Sequence, residues 1–161
     1  MPNRRQVETR TSDADRPAYD RSAVMRAVKS RDTTPERAVR ALLRTIAPGY
    51  RLHRGDLPGK PDIVYRGRKL AIFVHGCFWH GHDCARGGRM PKTNADYWRA
   101  KIGRNRARDE KTLAAFAAMG WRALVVYECE LKDAERLKGR LEDALRLDPK
   151  ARPGGIAGAG I

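Results

Sequence analysis

The sequence predicts an α/β domain, and three observations carry that prediction. Short apolar runs rich in β-branched residues, at 62–65, 69–74 and 121–127, alternate with amphipathic segments of helical period. The 161 residues suffice for one domain with a real core but not for two comfortable ones. One strand runs directly into Phe73-Val74-His75-Gly76-Cys77-Phe78-Trp79-His80-Gly81-His82-Asp83-Cys84, which holds three of the four histidines and two of the three cysteines. So many imidazoles and thiols need metal, hydrogen bonds or water, so this stretch is expected to be a site.

Residues 1–20 carry Arg, Asp, Thr and Pro with almost no large aliphatics and read as a disordered basic arm. The folded domain is expected over 21–147, followed by a flexible Gly/Ala/Pro tail at 148–161. Ser22 can cap a short helix to Lys29, with Val24, Met25 and Val28 on one side. The next helix is expected to start with Thr34 as N-cap, Pro35 at the first helical position and Glu36 in the first turn. Ala38, Leu42, Leu43 and Ile46 form its apolar stripe, and Pro48-Gly49 ends it.

Tyr50 to Arg54 alternates large and polar residues like an edge strand, and Leu57 to Pro61 reads as a rigid loop. Asp62 to Tyr65, the turn Arg66-Gly67-Arg68 and Lys69 to Val74 form a hairpin whose second strand is largely buried. After a Gly- and Arg-rich loop at 85–92, a long helix runs from about Asn94 to Met119, bent at Gly103 and stopped by Gly120. Trp121 to Tyr127 is a strand ending at Glu128-Cys129, and an amphipathic helix spans about Lys132 to Leu145. The predicted order is helix, three strands, helix, strand, helix.

Lys and Arg total 34 against 19 Asp and Glu, a formal charge of +15. A polyphosphate partner, nucleic acid above all, suits that excess, although a solubilising basic surface or an anionic membrane would also fit. No apolar run approaches the roughly 20 residues that span a bilayer, and no hydrophobic signal core opens the chain. The expectation is a cytoplasmic protein with no membrane partner.

Cys77, His82, Cys84 and Cys129 supply three thiolates and an imidazole, a closed tetrahedral set suited to structural Zn²⁺. Free thiols with Cys129 as a small buried hydrophobe are the alternative. Asp62 falls across the hairpin from Ile72 to Val74, hence near His75, where a carboxylate beside imidazoles and carbonyls can hold Mg²⁺. Taken alone, an Asp after Pro is more often a turn residue or strand-start cap. Phe78, Trp79 and Trp98 could stack on bases or pack as a small satellite core. Lys101, Arg104, Arg108 and Lys111 form one basic helix face, open to phosphates or to water.

Pro61-Asp62-Ile63-Val64, the stretch Phe73 to Cys84, Tyr97-Trp98, Lys101-Ile102-Gly103-Arg104-Asn105, Gly120-Trp121-Arg122 and Glu128-Cys129 together resemble the very-short-patch repair (Vsr) DNA mismatch endonucleases. The resemblance covers about residues 22–132. It implies a restriction-endonuclease-like fold, a central mixed sheet flanked by helices with a structural zinc site. It also implies a Mg²⁺-dependent nick in one strand at T:G mismatches left by deamination of 5-methylcytosine. By resemblance, Asp62 and the Val74 backbone carbonyl hold the catalytic Mg²⁺. His75 and His80 act on water and phosphate, with His80 as general base and Asp109 orienting it, and Glu36 completes the acidic cluster. Cys77, His82, Cys84 and Cys129 match the zinc ligands.

The resemblance further implies that Phe78, Trp79 and Trp98 wedge into the DNA from the major groove, while Met25 and Val28 enter from the other side. Lys101, Arg104 and Asn105 complete the DNA-binding set. Val74 stands where the best-known members have threonine, and the stretch 84–91 differs in length and composition. The implied partners are mismatched double-stranded DNA and mismatch-repair proteins, for a monomer associated with the nucleoid. Two other activities fit the residues: a restriction-type endonuclease cutting paired duplex, and a zinc-stapled DNA-binding protein without catalysis.

Overall fold

A computed structural model describes residues 31–146. The expected arm, tail and early helix, with Met25 and Val28, lie outside the described residues. The described elements run α1 (Thr34–Ile46), β1 (Arg51–Leu52), β2 (Ile63–Tyr65), β3 (Leu70–His75), α2 (Ala95–Ala118), β4 (Arg122–Tyr127) and α3 (Ala134–Arg146), in the predicted order. Among the described residues, no helix is long and apolar enough to cross a membrane.

The fold is α/β: a mixed four-stranded sheet in the order β1-β2-β3-β4, with helices packed on it. β1 to β3 pair antiparallel, whereas β3 and β4 are parallel, from Leu70↔Arg122 to His75↔Tyr127. A parallel pair needs a crossover, and the 24 residues of α2 supply it.

Both faces of the sheet are covered, which is why β2 and β3 read as near-continuous apolar runs. Ile63, Tyr65, Leu70, Ile72 and Val126 pack with Val39 and Leu43 of α1 and with Leu137, Leu141 and Leu145 of α3. Val64, Ala71 and Phe73 face the other way, onto Leu57 and onto Phe116 of α2. His75 shares the parity of Ala71 and Phe73, so the end of β3 presents its imidazole on the α2 side.

Several element boundaries depart from the sequence reading, mostly by one residue. The N-cap of α1 is Thr33 rather than Thr34: Thr33 has extended backbone, accepts from the Glu36 N–H and donates its hydroxyl to Glu36 Oε1 at 2.9 Å. The edge strand shrinks to Arg51–Leu52 because His53 turns into the left-handed region at φ 47°. Residues Glu128–Lys132 form a 3₁₀ turn. The last helix then starts at Ala134, where the preceding Asp133 accepts from the Arg136 N–H at 3.0 Å.

Candidate functional site

Everything that looks chemical gathers where β3 and β4 end side by side. Val74↔Val126 and His75↔Tyr127 are the last register pairs, and both chains then leave the sheet into cysteine-bearing turns. Cys129, 52 residues beyond Cys77 in sequence, donates its N–H to Cys77 Sγ at 3.3 Å. Ligand atoms of Cys77, His82, Cys84 and Cys129 all lie within 4.8 Å of one another. His82 Nδ1 approaches Cys129 Sγ at 3.5 Å, and its ring stacks on Tyr127 with centroids 3.9 Å apart.

The loop closes this tightly because of Gly87: a Cβ there would lie 1.9 Å from the His82 carbonyl oxygen and 3.0 Å from that of Cys77. Burial pushes the Cys77 thiol up, while the Gly87 N–H, 3.3 Å from the sulfur, holds the Cys84 thiol below the usual range. Three thiols and an imidazole around one point form a soft donor set that releases protons on taking up metal.

A second group stands a few residues away. The His75 and His80 rings stack at 3.6 Å and 11°, and His80 Nδ1 lies 2.6 Å from Asp109 Oδ2, on α2. His75 Nδ1 is 3.8 Å from the same oxygen, too far to bond, and is buried without a hydrogen-bond partner. Burial, and then the neighbouring His80, push the His75 imidazole down to about 4 against the pull of Asp109, so it is neutral near pH 7. A cleft of about 340 Å³, walled in part by Arg106, Asp109 and Tyr127, leaves His80 open to solvent.

Asp62 lies just before β2, and Val74 donates its N–H to Asp62 Oδ2 at 2.8 Å. Burial raises the Asp62 carboxyl to about 6; the Val74 bond opposes this and the Glu36 charge adds to it. Glu36 is itself buried in the first turn of α1. Its ligand atoms group with Asp32 and His53 rather than with the histidine pair.

The aromatics form a third group. Phe78, Trp79 and Trp98 contact one another with centroids 5.2 to 6.0 Å apart, and Tyr97 abuts Trp98 at 5.2 Å. They pack on one another rather than into a buried core, and Tyr97 is exposed. Lys101 Nζ sits 5.3 to 5.9 Å from the Trp79, Trp98 and Tyr97 rings. Asn105 donates to the Trp79 carbonyl at 2.8 Å, tying the loop to α2, while Arg104 is exposed. The sequence assigns no role to His53, Asp32 or Tyr127, and Tyr97 enters it only as part of the family resemblance. His53 carried the one available signal, as the single histidine outside the dense stretch.

The family model described as "DNA mismatch endonuclease Vsr" matches residues 13–86. The type II nicking enzyme V.XorIIP of Xanthomonas oryzae pv. oryzae is 55% identical over 129 residues, covering 80% of this chain and 93% of the relative. The DNA mismatch endonuclease Vsr of Escherichia coli (strain K12) is 40% identical over 117 residues, covering 73% and 74%. The type II nicking enzyme V.NmeAIP of Neisseria meningitidis is 41% identical over 128 residues, covering 78% and 89%. Among solved structures, the catalytic domain of the homing endonuclease I-Bth0305I matches with a TM-score of 0.47 and 25% identity, covering 70% of this chain and 93% of that one. The protein is therefore a hydrolase that cleaves DNA. Within that class, the chain belongs to the Vsr DNA mismatch endonuclease family.

Two outcomes follow from this geometry. Asp62 is ionised at neutral pH at the expense of folding, because its folded value exceeds the unfolded value of about 3.9. That penalty is absent below pH about 4 and complete above about 6, so metal-free Asp62→Asn should be more stable than wild type by on the order of 2 kcal/mol at pH 7.5. Denaturant melts across pH check this, with the difference vanishing near pH 4. In the second, Cys129→Ser should lower metal uptake by the four-donor set well below one ion per chain and reduce Tm by roughly 10 °C, since that set ties two otherwise separate turns. Metal analysis and calorimetry measure both.

Proposed function

We propose that this protein nicks one strand of double-stranded DNA at T:G mismatches left by deamination of 5-methylcytosine. The observation that carries the reading is the convergence, at one end of β3, of the half-buried Asp62 carboxylate bonded to Val74 and the His80–Asp109 pair. The names of the relatives, a DNA mismatch endonuclease and nicking enzymes, support the single-strand cut and the mismatch.

The donors fit the two metals that such an enzyme would use. Asp62 is desolvated and repelled by Glu36, with Arg40 opposing only in part, so a hard divalent cation would add the positive charge this corner is short of. Asp62 with the Val74 carbonyl would hold Mg²⁺, and Cys77, His82, Cys84 and Cys129 would hold Zn²⁺. Mg²⁺ supplies Lewis acidity toward the phosphate and a lowered pKa for water.

The side chains do the rest. With Nδ1 held 2.6 Å from Asp109, His80 is oriented so that its Nε2 would accept a proton from the attacking water. His75, neutral and stacked on His80, holds that ring in place and offers a polar edge to the phosphate. Phe78, Trp79 and Trp98 stand ready to enter the base stack, where opening costs a few kcal/mol per step and less at a mismatch. That difference favours T:G over paired DNA.

Strand-resolved cleavage of short duplexes differing at one position (T:G, C:G, T:A and the other mismatches), with Mg²⁺ or Ca²⁺, tests this. A Mg²⁺-dependent nick on the thymine strand of T:G alone is expected, and Asp62→Ala should lower its rate at least about 10³-fold with DNA binding largely kept. Double-strand cutting of paired duplex would make it a restriction-type enzyme, and binding without any cut would leave a DNA-binding protein. In the same assay, Trp79→Ala should weaken mismatch binding by about 1–3 kcal/mol with Tm nearly unchanged. Equal binding by the variant would remove the wedge from the account.

A further inference from the structure

His53 has no part in the roles described above, yet it occupies a constrained position beside Asp62. It is a non-glycine residue at φ 47°, and its N–H donates to the Asp62 carbonyl at 3.1 Å. Its Nε2 is buried and has no hydrogen-bond partner. Asp32 Oδ1 stands 3.7 Å from that nitrogen, too far for a hydrogen bond. The gap falls within the about 3 to 4 Å that two neighbouring ligands keep when they share an ion at bond lengths near 2.1 Å.

Glu36 is the third member, and one ligand atom from each of Asp32, Glu36 and His53 lies within 4.8 Å of the others. Glu36 accepts from the Thr33 hydroxyl and from the Asp32 N–H, each at 2.9 Å, which leaves a lone pair on each oxygen. Arg40 is the cation already present, with Nη2 2.6 Å from Asp32 Oδ1. Three carboxylates, Asp32, Glu36 and Asp62, stand here against the single Arg40 guanidinium, so the corner around His53 is short of positive charge.

We propose that Asp32, Glu36 and His53 form a nitrogen-bearing cation subsite beside Asp62, which takes a divalent first-row transition ion of the Mn²⁺ type more tightly than Mg²⁺. First-row transition ions, Mn²⁺ at the weak end of the series, accept an imidazole nitrogen beside carboxylate oxygens, whereas Mg²⁺ dehydrates reluctantly and keeps to oxygen. The rival arrangement is a protonated His53 that merely screens Asp32 and binds no metal. The proposal concerns metal binding by the free protein and stands whichever DNA the enzyme cuts.

The test is Mn²⁺ titration of the zinc-loaded full-length protein without DNA, followed by electron spin resonance. Wild type, His53→Ala, His53→Gln and Asp62→Asn are compared, and thermal melts confirm that each is folded. Wild type is expected to bind Mn²⁺ with imidazole nitrogen coupling in the spin-echo spectrum. His53→Ala should abolish that coupling and weaken one class of sites at least about tenfold, while Asp62→Asn keeps the coupling. Should His53→Ala fail to fold, His53→Gln, which keeps a polar tip of similar length, should show the same loss. A wild-type isotherm or unchanged nitrogen coupling in the folded His53 variant would overturn the proposal, as would equal competition by Mg²⁺ for the coupled site.

Discussion

The tie between the ends of β3 and β4 is the constraint on which the rest of the structure depends. The parallel pair is rigid up to His75↔Tyr127, but beyond it lie two turns with little core of their own. The Cys129 N–H to Cys77 Sγ bond ties those turns together, and it brings four ligand atoms within 4.8 Å of one another. The joined turns carry His80 toward Asp109 and lift Phe78 and Trp79 onto Trp98. A metal in the knot would set the position of the proton acceptor and of the aromatic wedge without touching either.

The electrostatics divide the remaining groups by task. His75 is kept neutral by burial beside a second imidazole, and His80 is oriented by a carboxylate, so this pair is suited to moving protons. Asp62 and Glu36 are pushed together away from water, which favours a cation over a proton once one is supplied. The chain gives up some folding stability at Asp62 to keep that corner charged, as functional sites commonly do.

Much of this geometry is legible in the sequence because it follows from local rules. The hairpin count from the Arg66-Gly67-Arg68 turn brings Asp62 opposite the end of β3, and the Val74 N–H to Asp62 bond is that register made visible. The donor count likewise groups Cys129 with Cys77, His82 and Cys84, and the structure brings the four together. What stays hidden depends on tertiary contact or on local backbone choice. Thr33 and Thr34 are both good caps, and only packing decides between them. His53 reaches Asp32 through a left-handed kink, a conformation no pattern assigns to histidine. Tyr127 looks like any strand residue until His82 stacks on it. Lys101 reads as one of several basic side chains on α2, yet it lies against three aromatic rings.

The proposal is a division of labour in which the thiolates would hold the structural ion, the Asp62 corner the catalytic one, and the histidine pair would move protons. Anomalous diffraction from crystals grown with zinc and soaked in Mn²⁺, recorded at both absorption edges, tests it most directly. The account predicts a zinc peak enclosed by Cys77, His82, Cys84 and Cys129, Mn²⁺ density on Asp62, and none between His75, His80 and Asp109. A metal peak shared by His75, His80 and Asp109, with the thiols vacant, would contradict it.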